Sequence, residues 1–222
     1  MKKIAIPSNL TTLAYNSIKQ HILDGKLDEN SRLTEDFLSA QLGISKSPVR
    51  EALNRLEAEG LIRIQSRKGA YLRRLTRAEI ADLYDTREAL EVHVVRTLNL
   101  TSALLADLRA SLQRQKVLLK ANDKAHYIQE DVRFHSLLSA ATGNAYLHSI
   151  LENIQNQIWL SRRSTYDLSS SSAPNAHEMV VKALENKDIV KAEQAMREHI
   201  RNVRQRLLAF LDAAPRAART AS

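Results

Sequence analysis

The sequence contains no cysteine, so neither disulfides nor thiolate metal sites are available to it. Glycine and proline are also scarce, at 5 and 4 in 222 residues, and four of the five glycines fall before residue 70. A chain this poor in turn formers beyond that point is expected to run as long helices after a punctuated N-terminal module. No uninterrupted apolar stretch approaches the roughly 20 residues that a membrane span needs. The two lysines after Met1 are followed by no apolar run, so no signal peptide is expected and the cytoplasm is the default location.

What is present is ordinary in bulk. Hydrophobic residues make up 44% and charged residues 26%, as in a soluble globular protein with length for one large domain or two modest ones. The net charge of +8 is unevenly spread: residues 1–76 hold 13 Lys+Arg against 8 Asp+Glu, and residues 77–222 hold 20 against 17. A denser positive charge at the start suits a module that neutralises phosphates, although a generic basic protein fits the charge alone equally well.

Leu10, Leu13, Ala14, Ile18 and Ile22 recur at helical spacing and stop before Gly25. Thr34 is placed to cap a second helix, with Glu35 and Asp36 in its first turn and Gly43 at its end. Ser47 is placed to cap a third, with Pro48 at the first helical position and Gly60 closing it. Leu61–Ile64 and Ala70–Arg73 then flank a turn at Arg67-Lys68-Gly69. Three short helices followed by a hairpin spell a winged helix-turn-helix. After Thr76 strand signals vanish, and helices are expected near 77–98, 101–121, 123–141, 145–165, 174–186 and 188–212. The fold class is therefore mainly α: a winged helix-turn-helix over residues 1–76, a bundle of about six helices over 77–212, and a frayed tail over 213–222.

The third helix sorts its residues by face. Val49, Ala52, Leu53 and Leu56 form an apolar face. Arg50 and Asn54 share another face, and Lys46 and Ser47 stand at the N-terminal end. The second helix of a helix-turn-helix enters the major groove by its N-terminal part, which aims these side chains at phosphates and base edges. Arg67, Lys68 and Gly69 would make the wing's contact with the double-stranded DNA. On an isolated helix, Arg50 and Arg55 could simply pair with Glu51, Glu57 or Glu59. The agreement of capped turn, apolar face and basic hairpin argues for DNA instead.

Leu33-Thr-Glu, the run from Leu42 through Ser-Pro-Val-Arg-Glu-Ala-Leu to Gly60-Leu61, and Arg67-Lys-Gly69 resemble the GntR family of bacterial regulators. The family usually carries arginine where this chain has Lys46, which keeps the charge but weakens bidentate recognition. Its best-known members often carry a basic residue near Asp36.

A second pattern lies beyond residue 77. Asp131 and His135 sit four apart on the face of Phe134 and Leu138. His177 shares the stripe of Val180, Val181 and Leu184, and His199 that of Ala192, Ala195, Met196 and Val203. Four inward polar side chains would cost several kcal/mol if left unpaired. One divalent ion satisfies all four, and such nitrogen and oxygen donors suit Zn, Ni, Mn or Fe. Each histidine alone would more often be a satisfied core residue. Residues 77–222 also resemble the helical FCD ligand-binding domain of the FadR subgroup, in its shorter VanR-like branch. The metal-binding members of that group carry the same four positions. The resemblance implies a small carboxylate effector in the open coordination positions, with Arg87 as a second anchor, although a surface pair of Arg87 with Asp85 or Glu91 fits the sequence equally well. His21, His93, His126 and His148 remain structural or exposed.

These readings converge on a homodimeric regulator, not an enzyme, which presents paired recognition helices to a palindromic operator. The alternative class is a metal-dependent hydrolase or lyase carrying a basic domain, since an open metal site lowers the pKa of bound water. The sequence shows no His-Glu-x-x-His helix to support it.

Overall fold

The computed structural model describes residues 9–27, 31–168 and 170–213. The chain divides into two compact units between Arg74 and Leu75.

The first unit contains α1 (Asn9–Leu23), α2 (Glu35–Leu42), α3 (Lys46–Ala58), β1 (Ile62–Gln65) and β2 (Gly69–Leu72). Thr34 caps α2 by accepting from the Phe37 amide at 3.1 Å, and Gly43 ends it at φ +64°, the left-handed conformation that costs glycine least. The start of α3 differs from expectation. Its N-cap is Ser45, without a side-chain cap bond, so Ser47 and Pro48 are its second and third residues. Proline is still tolerated there, because the amides of the first turn have no intrahelical acceptor.

The apolar stripe of α1 also differs. Ala14, Tyr15, Ile18 and Ile22 are buried, whereas Leu10 and Leu13 are 41% and 54% exposed. Bringing Tyr15 into the core turns the stripe, and the two leucines then lie roughly 90° or more around the helix from its centre. The Tyr15 hydroxyl donates to Glu59 beyond the end of α3 at 2.7 Å. Val49, Ala52, Leu53 and Leu56 close the core from α3 as expected. β1 and β2 pair antiparallel from Ile62↔Leu72 to Gln65↔Gly69, and Leu33 bridges to Ala70 as a third strand position.

The second unit, among the described residues, comprises six α-helices: α4 (Arg77–Thr97), α5 (Ser102–Lys120), α6 (Lys124–Ala140), α7 (Ala145–Thr165), α8 (Ala173–Glu185) and α9 (Ile189–Ala213). A 3-10 turn at Tyr166–Leu168 follows α7. Local chemistry sets the starts of four of them. Thr76 and Glu79 form a reciprocal capping box for α4, and Thr101, Asp123 and Asn144 each accept an orphan amide at the head of α5, α6 and α7. The core joins Leu108, Phe134, Leu138, Ile158, Val180, Leu184, Met196 and Ile200. Each such burial contributes about 1.5–3 kcal/mol relative to exposure. α9 continues through Ala213, and the rest of the expected tail lies outside the described residues. Among the described residues no helix is long and apolar enough to cross a membrane.

Candidate metal centre and nucleic-acid interface

Three of the four residues expected to hold a metal converge in the second unit. α6 supplies His135, α8 His177 and α9 His199, all buried, and their ligand-type nitrogens lie within 4.8 Å of one another. His177 Nε2 stands 3.2 Å from His199 Nε2. The Gln115 Oε1 atom lies 2.9 Å from His177 Nδ1 and accepts its proton, which leaves the Nε2 lone pair facing inward. Phe134 stacks on the His177 ring at 4.2 Å and fixes its plane. Glu91 does for His135 what Gln115 does for His177: its carboxylate accepts a hydrogen bond from Nδ1 and leaves Nε2 as the acceptor. A ring whose far nitrogen is tied to a carboxylate or amide oxygen is the arrangement that orients histidine toward a metal.

Asp131 is buried beside them, with Oδ1 3.8 Å from His177 Nε2. Its other oxygen is taken by Arg162 from α7, in a close ion pair. Arg87 is fully buried rather than on the surface. It binds Glu91 through Nε at 2.6 Å and reaches His135 Nε2 through Nη2 at 2.9 Å. Asp85, a possible surface partner of Arg87, binds Arg204 instead.

Electrostatics follow from this packing. Burial pushes His177 down to about 3, only partly offset by the Asp131 charge. Burial likewise holds His199 well below the ordinary imidazole range, helped by the neighbouring histidines and Arg87. Both rings are therefore neutral near pH 7 and able to act as donors to a metal. Burial alone would raise the Glu91 carboxyl, but Arg87 and His135 outweigh it and bring it to about 2. Asp131 is also held below the usual carboxylate range: burial acts against this, and the Arg162 charge and the three imidazoles prevail.

A small cavity opens beside the cluster, lined by Tyr127, Asp131, Arg162, Tyr166, Ser170 and His199 among others. Its volume of about 20 Å³ accommodates a water but no organic acid without side-chain movement.

Glu91 was expected only as a surface partner of Arg87, and Gln115, Gln155 and Arg162 were not anticipated from the sequence, yet the signal existed. Glu91 continues the buried stripe of Ile80, Tyr84 and Arg87 on α4, and Gln115 continues that of Leu104, Leu108 and Leu112 on α5. On α7, Gln155 and Arg162 follow the register of Leu151 and Ile158, and Gln155 donates to Glu91 at 3.0 Å. Of the histidines set aside, His21, His93 and His126 are exposed, and His148 is half-buried against Ser139.

In the first unit, Lys46, Ser47, Arg50 and Asn54 are all exposed along the N-terminal part and outer face of α3. Arg50 is not paired within its own helix. It grips Glu35 of α2 with two bonds, Nε–Oε1 at 2.8 Å and Nη2–Oε2 at 2.7 Å. Lys46 pairs with Asp36. Arg67 and Lys68 are exposed at the hairpin tip, where Arg67 takes φ +62°. Gly69 packs inward: at φ +98°, a Cβ there would stand 2.9 Å from the Leu33 carbonyl oxygen. The close approach at this glycine is thus to the protein's own third strand position.

Residues 10–72 match the family of bacterial regulatory proteins named gntR, and residues 82–202 match the FCD domain. The gluconate operon transcriptional repressor of Bacillus licheniformis is 32% identical over 77% of this chain and 74% of its own length. That of Bacillus subtilis (strain 168) is 30% identical over 86% and 82%. Among solved structures, E. coli McbR/YncC superposes with a TM-score of 0.81 at 21% identity, over 91% of this chain and 99% of that one. With the helix-turn-helix residues exposed on α3 and a helical unit built around three histidines, the chain belongs to the GntR family of bacterial transcriptional regulators, with an N-terminal DNA-binding GntR domain and a C-terminal FCD domain.

Proposed function

We propose that the protein is a homodimeric, one-component regulator whose affinity for a palindromic operator is set by a small carboxylate effector. In this reading residues 1–76 bind DNA and residues 77–212 bind effector and dimerise, in the cytoplasm. Lys46, Ser47, Arg50, Asn54, Arg67 and Lys68 form the DNA surface, and Gly69, expected there too, instead packs the hairpin against Leu33 behind it. Asp131, His135, His177 and His199 would hold a divalent ion (Zn, Ni, Mn or Fe).

The observation that carries the metal reading is the pair of imidazole nitrogens facing each other at 3.2 Å with His177 Nδ1 tied to Gln115. Only one ring proton can lie between them, so a cation would satisfy the pair, and it would draw in His135 Nε2 by displacing the Arg87 Nη2 that this nitrogen accepts from. When bound, the ion supplies a Lewis-acidic centre whose charge, less one carboxylate, attracts an organic acid. The chain's own residues do the rest: Glu91 and Gln115 fix the ring tautomers, Phe134 holds the His177 plane, and Arg87 adds positive charge beside His135. Binding of the acid then biases the arrangement competent for DNA, which couples the two sites. The gluconate repressors among the relatives make sugar acids the first compounds to test.

The test is a dialysed, metal-analysed sample of the full chain, screened by thermal shift against small carboxylic acids including D-gluconate, with and without zinc. It is followed by mobility shift on the cognate operator. Metal-dependent stabilisation by an acid, together with a change in operator affinity, is expected. Specific DNA binding indifferent to every metal and acid would overturn the effector reading. Metal-dependent turnover without specific DNA binding would favour the hydrolase alternative.

A further inference from the structure

Asp131 is claimed from two sides. Oδ2 is held by Arg162, while Oδ1 faces the histidine cluster 3.8 Å from His177 Nε2. A divalent ion seated among the imidazoles would place its charge near the Arg162 guanidinium, in surroundings where like charges are poorly screened. The two cations therefore compete for one carboxylate.

We propose that Arg162 is a latent carboxylate anchor: Asp131 holds it until a divalent cation takes Asp131, and it then turns to the carboxylate of a small organic acid in the adjoining cavity. The proposal rests on the metal reading above and adds to it a residue, a ligand group and an order of events. Arg87 is less suited to this role, because the buried Glu91 carboxylate holds it through Nε at 2.6 Å. Arg162 lines the cavity directly and is its longest side chain, whereas Arg87 is not among the lining residues. Since the cavity admits little more than a water, an organic acid requires a lining side chain to move. Exchange of one carboxylate for another lets Arg162 move without leaving a buried charge unpaired. The planar guanidinium also offers two parallel donors to the incoming group. By linkage, a carboxylate that draws Arg162 away from Asp131 tightens metal binding, and the metal tightens carboxylate binding by the same factor.

The experiment measures zinc affinity by chelator competition on the full chain, in acetate and in chloride at matched ionic strength. Wild type is compared with Arg162→Gln, Arg162→Lys and His177→Ala. With its competitor gone, Arg162→Gln is expected to bind zinc about tenfold tighter or more. Acetate should tighten zinc on the wild type and lose most of that effect in Arg162→Gln. If the glutamine variant does not fold, as judged by circular dichroism and melting, Arg162→Lys carries the test. Its single-point charge holds Asp131 less firmly, so zinc again tightens and the acetate gain shrinks. Equal or weaker zinc binding in a folded Arg162 variant would make Arg162 a positioning residue for Asp131 and overturn the proposal. An acetate effect of the same size in variant and wild type would overturn the anchor role. Zinc binding by the wild type that His177→Ala does not weaken would instead remove the metal reading itself, and this proposal with it.

Discussion

Arg50 of α3 and Glu35 of α2 face each other in a two-bond ion pair, at 2.8 and 2.7 Å, across the two helices of the helix-turn-helix. Both side chains remain solvent-accessible, so the pair is a weak stabiliser of the fold and an easily opened one. It holds the guanidinium against the first residue of α2. Arg50→Ala is expected to cost about 1–3 kcal/mol at the cognate operator and to relax specificity at one base pair. Mobility shifts on cognate and scrambled duplexes check this, and an equal loss on both would reduce Arg50 to a phosphate contact. Glu35→Gln frees Arg50 and should raise affinity for non-specific DNA.

Binding should weaken steeply with salt. If Lys46, Arg67 and Lys68 each neutralise a phosphate in both protomers of a dimer, the slope of log K against log salt is about −5. A titration from low to physiological salt measures it. A flat dependence would remove this basic surface from the interface.

Gly69→Ala meets two obstacles, a positive φ and a Cβ placed 2.9 Å from the Leu33 carbonyl oxygen. A destabilisation of about 1–3 kcal/mol is expected, read by urea unfolding, because the neighbouring atom belongs to backbone that bridges to Ala70. Ala substitution at the exposed Lys68 should leave stability within about 0.5 kcal/mol while weakening DNA binding.

Gln115→Ala should weaken metal binding about 10–100-fold, because His177 loses the oxygen that fixes its tautomer. His177→Ala and His199→Ala should abolish stabilisation by zinc, worth about 2.7 kcal/mol in the wild type at a hundredfold excess over Kd. Both variants should stay folded in the absence of metal. Loss of the fold in metal-free protein would assign the ion a structural role.

Acid should destabilise the metal-free protein in two stages. His177 titrates at about 3 when folded and near 6.5 when unfolded, so the unfolded chain binds more protons between those values. Stability is complete above about pH 6.5 and falls by up to about 1.4 kcal/mol per pH unit for each such histidine as pH drops. His199 shifts in the same direction and adds to the slope. Glu91, brought down to about 2, contributes stability above its unfolded value near 4.5 and loses it between there and pH 2. Urea midpoints from pH 8 to 4 test the first stage, and a flat profile would contradict the neutral buried imidazoles.

The sequence by itself determined the elements and the faces they bury. Thr34 caps the helix it was expected to cap, and Phe134, Leu138, Val180, Leu184 and Met196 lie in the core their spacing assigns them. These outcomes depend on interactions within a few residues or on a 3.6-residue period, both readable along one chain. Where a stripe gains an unexpected member the reading shifts: Tyr15 entered the core and Leu10 and Leu13 left it. Tertiary structure alone decided who meets whom. Periodicity put Glu91, Gln115 and Arg162 on buried faces but could not tell that they reach His135, His177 and Asp131, which lie 44, 62 and 31 residues away in the chain. The same limit hid the Arg50–Glu35 pair and the burial of Arg87. Those partnerships follow from how helices pack, and packing satisfies each buried polar group from whichever neighbour the fold brings within hydrogen-bond reach.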